Sequence, residues 1–294
     1  MDGGVGGRVD LHLHSTASDG TLPPDEVVRR AEAEGLTGIA LTDHDTVDGV
    51  EAARAEARRL GVRFLVGAEL SANEPGRSVH VLAYGFDPDD PDLARFFREY
   101  REHREERARE IVDRFRHLGV PLEYADVERE AGGGVPTRAH VARAVVRRGV
   151  VEKEGEVFDR WLGRDGPAYV EKRPTPPASV FELIRGAGGI SVLAHPGWQH
   201  GPEEIRRWAG EGLDGVEVRH PANHPKVRRR LEGLADELGL LRTGGSDWHG
   251  PDADRAPLGA VTVPEGWMDR LERAAREAGA ARESASENES GENG

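Results

Sequence analysis

The segment Asp10–His14 (DLHLH) alternates polar and apolar residues near the start of this 294-residue chain. Residues i, i+2 and i+4 of a β-strand share one face, so we expect Asp10, His12 and His14 to project together, away from the two leucines. Two imidazoles at such positions can hold a metal ion between them. Taken alone, the segment is equally compatible with an edge strand that carries two incidental histidines.

Histidines and carboxylates also stand within or just after five further apolar runs: Asp43 and His44, Glu69, His80, His195, and Asp247 with His249. Some have an alternative role, such as a helix N-cap at Asp45 or Thr46 or a satisfied core histidine at His80. A carboxylate that ends an apolar strand needs a partner, because burial of an unpaired charge is costly. The carboxyl ends of parallel strands meet at one rim, so the pattern predicts one imidazole–carboxylate site suited to zinc, manganese or iron.

The elements that must position these residues are short apolar runs that alternate with helical patterns. We predict strands at residues 8–14, 38–43, 63–71, 79–86, 190–195, 215–218, 240–244 and 260–263. Repeated strand–helix units indicate a parallel α/β architecture. About seven such units favour a closed or nearly closed barrel over an open sheet.

The middle of the chain interrupts this rhythm. Residues 91–177 contain no convincing strand pattern, and we predict helices at 93–118, 136–148 and 152–162. We interpret this region as a helical insertion over the mouth of a barrel formed by residues 8–90 and 178–275. Residues 283–294 (ESASENESGENG) are polar and acidic, a composition that predicts a disordered tail.

Composition excludes several classes of function. The 54 acidic and 40 basic residues give a net charge of −14, which repels phosphate backbones and argues against duplex nucleic acid as a partner, although a local basic pocket is compatible with it. The chain has no cysteine, so disulfides, thiolate metal sites and a cysteine nucleophile are excluded. Because we find neither a run of about 18 apolar residues nor an apolar signal core, we expect no membrane span and a cytoplasmic protein.

Five motifs together resemble a known family. The segments DLHLHSTASDG, LTDHDTVDG, GAELS, AHPG and GGSDWHG are similar, in this order, to those of the PHP (polymerase and histidinol phosphatase) family of metal-dependent phosphoesterases. The resemblance is strongest to a branch with 3′,5′-nucleoside bisphosphate phosphatases and a short-RNA 5′-exonuclease, and it extends from Val9 to about Val263. It implies an α/β fold, a distorted (β/α)7 barrel with a helical insertion over the active-site mouth.

The resemblance also implies a site for three divalent ions per chain, Mn²⁺, Zn²⁺ or Fe²⁺. One ion would be held by His12, His14, Glu69 and Asp247. A second would share Glu69 and take His80 and His195. A third would take Asp19, His44 and His249, although Asp19 is also compatible with an Asp-Gly turn. Asp10 and Asp43 are implied as outer partners that orient His12 and His44.

Substrate contacts are implied at four further positions. Arg138 and His140 match a family segment whose arginine reaches the pocket, and His224 matches a histidine near the substrate, so Arg138 and His224 are expected to act in catalysis. Ser15 is expected to touch phosphate, and Tyr84 and Lys172 to line the pocket. A helix start that merely carries Arg138 and His140 is the alternative. Where the family usually has an aromatic residue, this chain has Arg219 or His220.

The implied activity is hydrolysis of a phosphate monoester by metal-activated water. The expected substrate is a small nucleotide, a nucleoside 3′,5′-bisphosphate, or the 5′ end of a short RNA. A histidinol-phosphate phosphatase is the alternative within the family. A metal-free PHP domain that serves as a scaffold or binding module is the alternative outside enzymes. The sequence makes no prediction of oligomeric state.

Overall fold

The computed structural model describes residues 7–132, 134–197, 199–251 and 256–292. The chain forms two compact units, and the division falls near the expected limits of the insertion. The first unit combines the residues up to Ala94 with those from Pro174 onward, and the second comprises Arg95–Arg173. Every strand in the described residues belongs to the first unit, so a site built from strand ends must lie there.

The first unit contains one eight-stranded sheet. Its strands are β1 (Arg8–Leu13), β2 (Gly38–Leu41), β3 (Arg63–Glu74), β4 (Arg77–Tyr84), β5 (Ile190–Leu193), β6 (Gly215–Arg219), β7 (Leu241–Gly244) and β8 (Val263–Pro264). Their spatial order is β7-β6-β5-β4-β3-β2-β1-β8. A parallel bridge between Leu13 and Trp248 joins β1 to the chain after β7, so the sheet curls into a nearly closed barrel. The prediction of a distorted α/β barrel is thereby confirmed.

The sheet is not parallel throughout, and in this respect the prediction was wrong. β4 pairs antiparallel with both β3 and β5, and β8 pairs antiparallel with β1. Only Pro75 and Gly76 separate β3 from β4, and a connection of two residues can join only antiparallel neighbours. The pairs β1–β2, β2–β3, β5–β6 and β6–β7 are parallel.

The helices follow sequence signals at their ends. They are α1 (Pro24–Ala33), α2 (Val50–Leu60), α3 (Pro91–His117), α4 (Tyr124–Ala131), α5 (Arg138–Arg147), α6 (Glu154–Val157), which continues into a π-helical turn at Phe158–Leu162, α7 (Pro177–Gly186), α8 (Pro202–Glu211), α9 (Pro225–Leu238) and α10 (Glu265–Glu292). Proline opens α1, α7, α8 and α9, where its fixed φ angle favours the first turn. Among the described residues, no helix is long and apolar enough to span a membrane.

Separate apolar clusters hold the barrel to its helices. Leu11 lies in one cluster with Met268 of α10, and Leu13 lies in another with Val27 of α1. Tyr84 belongs to the first cluster, is fully buried and donates a 2.6 Å hydrogen bond from its hydroxyl to the carbonyl of Leu11. Tyr84 is therefore a core residue, and its expected place in a substrate pocket was wrong.

The second unit is entirely helical and has its own core. Its elements α3 to α6 enclose a buried cluster that includes Phe115, Leu122 and Val145. The sequence did not predict α4, which has only eight residues and begins with a capping box in which Asp126 accepts from the N–H of Glu123. So short a helix carries too few turns for a periodic apolar pattern to be recognised.

The acidic C-terminal segment differs from the predicted disordered tail. Helix α10 continues through it to Glu292, and the last two residues lie outside the described part of the chain. The buried residues Met268 and Leu271 anchor the start of α10. Extending an existing helix by one residue does not require a new helix nucleus. A polar sequence that cannot form a hydrophobic core therefore does not by itself end the helix.

We expect Tyr84→Phe to lower the free energy of unfolding by about 1–2 kcal/mol, because the buried carbonyl of Leu11 loses its hydroxyl donor. Urea denaturation followed by circular dichroism measures the change. Tyr124→Phe is the control, since the Tyr124 hydroxyl makes no hydrogen bond within the described residues. Equal stability of Tyr84→Phe and the wild type would contradict the core role of this hydroxyl.

Candidate metal centre

The nine predicted metal ligands come together at one end of the barrel. β1 and the residue after it supply His12 and His14, and the β3–β4 hairpin supplies Glu69 and His80. The others follow strands β1, β2, β5 and β7: Asp19, His44, His195, Asp247 and His249. Both His12 and His14 are fully buried, as their shared strand face predicts.

Glu69 lies at the centre of this arrangement. Its Oε2 atom is 3.1 Å from His12 Nε2 and 3.2 Å from His14 Nε2. Its Oε1 atom is 2.8 Å from His80 Nδ1 and 3.0 Å from His195 Nε2. One buried carboxylate thus faces two sets of imidazoles, one through each oxygen.

The ligand atoms fall into three overlapping groups, and within each group all atoms lie within 4.8 Å of one another. One group is the set expected for the first ion: His12, His14, Glu69 and Asp247. Another adds a histidine to the set expected for the third ion: His14, Asp19, His44 and His249. The last contains His44 where His195 was expected: His44, Glu69 and His80. Ions bound in these groups would be close neighbours, because the groups share ligands.

The histidine His14 provides the test of whether a metal fits. Its ring is fully buried, and neither ring nitrogen makes a hydrogen bond within the part of the chain that the structure describes. Nevertheless Nε2 lies 3.2 Å from both Glu69 Oε2 and Asp247 Oδ1, a separation typical of ligands that share one ion. The mixed imidazole–carboxylate donor set suits Zn²⁺, Mn²⁺ or Fe²⁺, so the residues fit divalent ions.

The electrostatics of the cluster favour bound cations. Burial would raise the pKa of Glu69, but the imidazoles of His44 and His12 hold it well below its usual range. Burial would lower the pKa of His14, but Asp247 and Glu69 raise it to about 10. The carboxylates are therefore ionised at neutral pH, and they attract a proton or a metal ion to the space between them.

Backbone strain accompanies the site. Among the described residues, the non-glycine residues with positive φ are Asp45 (51°), His195 (27°) and Asp247 (52°). All three stand just after barrel strands; His195 and Asp247 are predicted ligands, and Asp45 follows the ligand His44. Such conformations persist where surrounding contacts hold them. For His195 that contact is a 2.6 Å hydrogen bond from its backbone N–H to Glu217 Oε2.

Sequence reasoning missed Glu217, which supports two predicted ligands. This glutamate of β6 is fully buried, and its Oε1 atom lies 3.0 Å from Nδ1 of His12. When the proton of His12 is on Nδ1, the lone pair on Nε2 points toward Glu69 and Asp247. Carboxylates orient metal-binding histidines in this way. The argument applied to Glu69 would have found it, since Glu217 also interrupts an apolar strand.

His220 is a second residue that the sequence did not assign to the site. Its buried ring lies with Nε2 3.4 Å from Asp247 Oδ2, while Asp247 Oδ1 faces His12 and His14. The backbone N–H of Ala222 donates to His220 Nδ1 (3.1 Å), so the neutral ring carries its proton on Nε2. His220 therefore donates to the carboxylate oxygen of Asp247 that does not face the ligand group.

Within the described residues, Asp10 makes no hydrogen bond to the ring of His12 and Asp43 makes none to the ring of His44, so their expected orienting role stays a prediction. Asp10 accepts hydrogen bonds from the backbone and hydroxyl of Ser246 (2.9 and 2.6 Å). Asp43 accepts from the backbone and hydroxyl of Ser15 (both 2.7 Å). Each carboxylate thus ties one rim loop to a neighbouring strand, because a serine offers two donors on one residue.

Ser15 is fully buried, and its hydroxyl donates to Asp43; its expected contact with phosphate stays a prediction. His224 is the exposed N-cap residue of α9. In the second unit, Arg138 is the first residue of α5, and Nδ1 of His140 accepts from the N–H of Thr137 (3.1 Å). Their assignments to substrate stay predictions.

We expect Glu217→Gln to weaken metal binding by about 10- to 100-fold, because an amide has one acceptor oxygen and cannot serve both His12 and His195. Competition with a chromophoric chelator measures the affinity. Glu56→Gln is the matched control, since the partners of this buried glutamate are Arg29 and Arg59. Equal affinity in Glu217→Gln and Glu56→Gln would contradict the orienting role.

Comparison with known proteins identifies a matching family and several relatives. The PHP domain family matches residues 10–87. A 5′-3′ exoribonuclease from Haemophilus influenzae is 36% identical over 252 residues, which cover 83% of this chain and 90% of the relative. A 3′,5′-nucleoside bisphosphate phosphatase from Chromobacterium violaceum is 36% identical over 257 residues, which cover 83% and 88%.

The similarity extends to a solved structure. A Bifidobacterium adolescentis protein regarded as a metal-dependent phosphoesterase aligns with a TM-score of 0.78 at 32% identity, over 90% of this chain and 96% of that one. Sequence and fold thus agree across nearly the full length of each partner. The chain belongs to the PHP family of metal-dependent phosphoesterases.

Proposed function

We propose that this chain hydrolyses the phosphate monoester of a nucleoside 3′,5′-bisphosphate or of the 5′ end of a short RNA. The observation that carries the proposal is the set of three overlapping ligand groups around Glu69. Its support comes from relatives that are a nucleoside bisphosphate phosphatase and a 5′-3′ exoribonuclease. Both substrates present a 5′-phosphate with a second phosphate nearby.

In the proposed mechanism, three divalent ions, when bound, supply a water molecule of lowered pKa and neutralise charge on the phosphate. The residues that would hold them are the nine convergent histidines and carboxylates. Glu69 would contribute one oxygen to each of two neighbouring positions, because its two oxygens face different imidazoles. Glu217 orients His12, and His220 orients Asp247. In each of these two ligands, one donor atom then faces the ligand group that they share.

We assign the substrate contacts to Arg138, His140 and His224, with Arg138 and His224 acting on the phosphate during catalysis. A guanidinium can form two parallel hydrogen bonds to phosphate oxygens. Cationic donors aimed at those oxygens stabilise the charge that develops in the transition state. The proposed partner is therefore a small nucleotide or a short single strand, and duplex nucleic acid is not a substrate.

A substrate panel tests the proposal against its two alternatives. We expect the manganese-loaded protein to have a higher kcat/KM for adenosine 3′,5′-bisphosphate or a short 5′-phosphorylated oligoribonucleotide than for histidinol phosphate. A preference for histidinol phosphate would favour the family alternative. Absence of hydrolysis on every substrate, together with absence of bound metal, would favour a scaffold or binding module.

We expect Glu69→Gln and Asp247→Asn each to keep less than about a tenth of the wild-type kcat, a barrier increase above about 1.4 kcal/mol. Each change is nearly isosteric but removes a charge from the ligand groups. Steady-state assays with saturating manganese measure the loss, and thermal melting checks the fold. Glu56→Gln again serves as the control. Retention of a tenth or more of the rate would exclude the ligand role.

We also expect more than one ion per chain, because the three ligand groups together offer more donors than one ion can use. Elemental analysis after purification in manganese measures the stoichiometry. Asp19 belongs to only one group, so Asp19→Asn should lower the count by about one. A wild-type stoichiometry at or below one would rule out the multinuclear assignment.

A further inference from the structure

The start of helix α9 in the first unit carries a run of positive charge. Four of the five residues at 226–230 are basic. Within the described residues, Lys226, Arg228 and Arg229 form no ion pair with a carboxylate. By contrast, on the preceding helix α8, Arg206 pairs with Glu203 at 2.9 Å. The positive charge of the run is therefore available to an anion from outside the chain.

The charges of α9 are also arranged against its helix dipole. Its first turn contains Lys226 and no acidic residue, and its last turn contains no basic residue. A helix is stabilised by acidic residues at its N-terminus and basic residues at its C-terminus, as the first turns of α1, α4 and α8 illustrate. The order of charges in α9 thus does not serve the stability of the helix, and binding of an anion at its start would account for it.

The basic run begins beside the ligand groups. Helix α9 follows β6, and the turn between them contains His220, whose Nε2 atom lies 3.4 Å from Asp247 Oδ2. The side-chain amide of Asn223 in this turn donates to the carbonyl of Glu217 (3.2 Å). Nε of Arg228 in turn donates to the carbonyl of Asn223 (2.9 Å). These bonds fix the start of α9 to the strand that supports the candidate metal centre.

Two members of the run face the solvent together. Lys226 and Arg229 are exposed, whereas Val227 and Leu231 of the same helix are buried. Residues three apart are neighbours on a helix surface, with Cβ atoms about 5–6 Å apart. Lys226 and Arg229 can therefore contact the same polyanion.

We propose that Lys226 and Arg229 bind the phosphodiester backbone of a single-stranded oligoribonucleotide, beyond the nucleotide whose phosphate is hydrolysed. The inference rests on the proposed function and favours the short-RNA substrate within it, because a nucleoside bisphosphate has no further backbone phosphate to offer this surface. Cations that neutralise phosphates release counterions, so the contact contributes affinity that falls as the salt concentration rises. Such contacts do not read the base sequence.

The test compares kcat/KM of the full-length, manganese-loaded protein for a 5′-phosphorylated pentaribonucleotide and for adenosine 3′,5′-bisphosphate. We expect the double variant Lys226→Gln/Arg229→Gln to lose at least tenfold more on the pentanucleotide than on the bisphosphate. Equal losses on the two substrates, or no loss on either, would overturn the proposal.

The matched control is the double variant Arg30→Gln/Arg58→Gln, which removes the same charge. The exposed side chains of Arg30 and Arg58 lie in the last turns of α1 and α2, at the end of the barrel where the strands begin. This variant should change the ratio of the two kcat/KM values by less than twofold. A change in the ratio as large as that of Lys226→Gln/Arg229→Gln would attribute the effect to net charge and overturn the proposal.

A binding assay separates this inference from the proposed function. A 5′-hydroxyl pentaribonucleotide has backbone phosphates but no 5′-phosphate monoester, so its fluorescence anisotropy with the manganese-loaded protein measures the backbone contact without turnover. The logarithm of the affinity of a single strand falls with that of the salt concentration by about 0.7 per neutralised phosphate. Loss of two contacts in Lys226→Gln/Arg229→Gln should therefore make this slope less steep by about 1.4, and an unchanged slope would overturn the proposal.

The outcomes of the two assays are distinguishable. RNA binding that depends on Lys226 and Arg229, in a protein that hydrolyses no monoester, would refute the proposed function and keep this surface. Hydrolysis of a monoester, with RNA binding independent of the two residues, would refute only the surface. A polyglutamate peptide of equal charge should displace the labelled RNA at least tenfold less well than unlabelled RNA, since it offers nothing to the other substrate contacts. Equal displacement would overturn the proposal in favour of an acidic protein partner.

Discussion

Burial of the Glu69 carboxylate is the constraint on which the barrel end is organised. An ionised carboxylate removed from water requires compensating positive charge or hydrogen bonds, and within the described residues Glu69 meets imidazoles, among them His12, His80 and His195. These rings come from β1, β4 and the loop after β5. The register of these strands thus also places the histidines around Glu69, and two of them, His12 and His80, share ligand groups with it.

Holding so many polar side chains in fixed positions requires support from outside the ligand groups. Three aspartates at the rim each accept a backbone N–H and a hydroxyl from one serine: the pairs Asp10–Ser246, Asp43–Ser15 and Asp45–Ser71. Each pair joins a strand end to a different loop. Two bonds to one residue restrict rotation more than a single bond does, and in the Asp45–Ser71 pair they hold Asp45 at its positive φ angle.

Recognition of phosphate by this chain has to be local. A net charge of −14 repels an approaching phosphate, although salt screens this repulsion beyond about 8–10 Å, and near contacts must overcome it. In the first unit, the buried carboxylates create a demand for cations that divalent ions can meet. In the second unit, the guanidiniums of Arg107 and Arg138 donate to backbone carbonyls, and within the described residues no carboxylate neutralises their charge.

The sequence by itself indicated the strands and eight of the nine candidate ligands, because strand periodicity and a polar residue at a strand end are encoded within a few positions. The ninth, Asp19, was implied only by the family resemblance. The sequence also indicated the family, since five ordered motifs are far more specific than any one. Only the tertiary structure decided that β4 runs antiparallel, that Tyr84 is a core residue and that Ser15 is bound to Asp43. Glu217 shows the physical reason: its contact with His12 spans 205 positions, and the partner of a buried charge is set by the chain that folds against it, not by its neighbours in sequence.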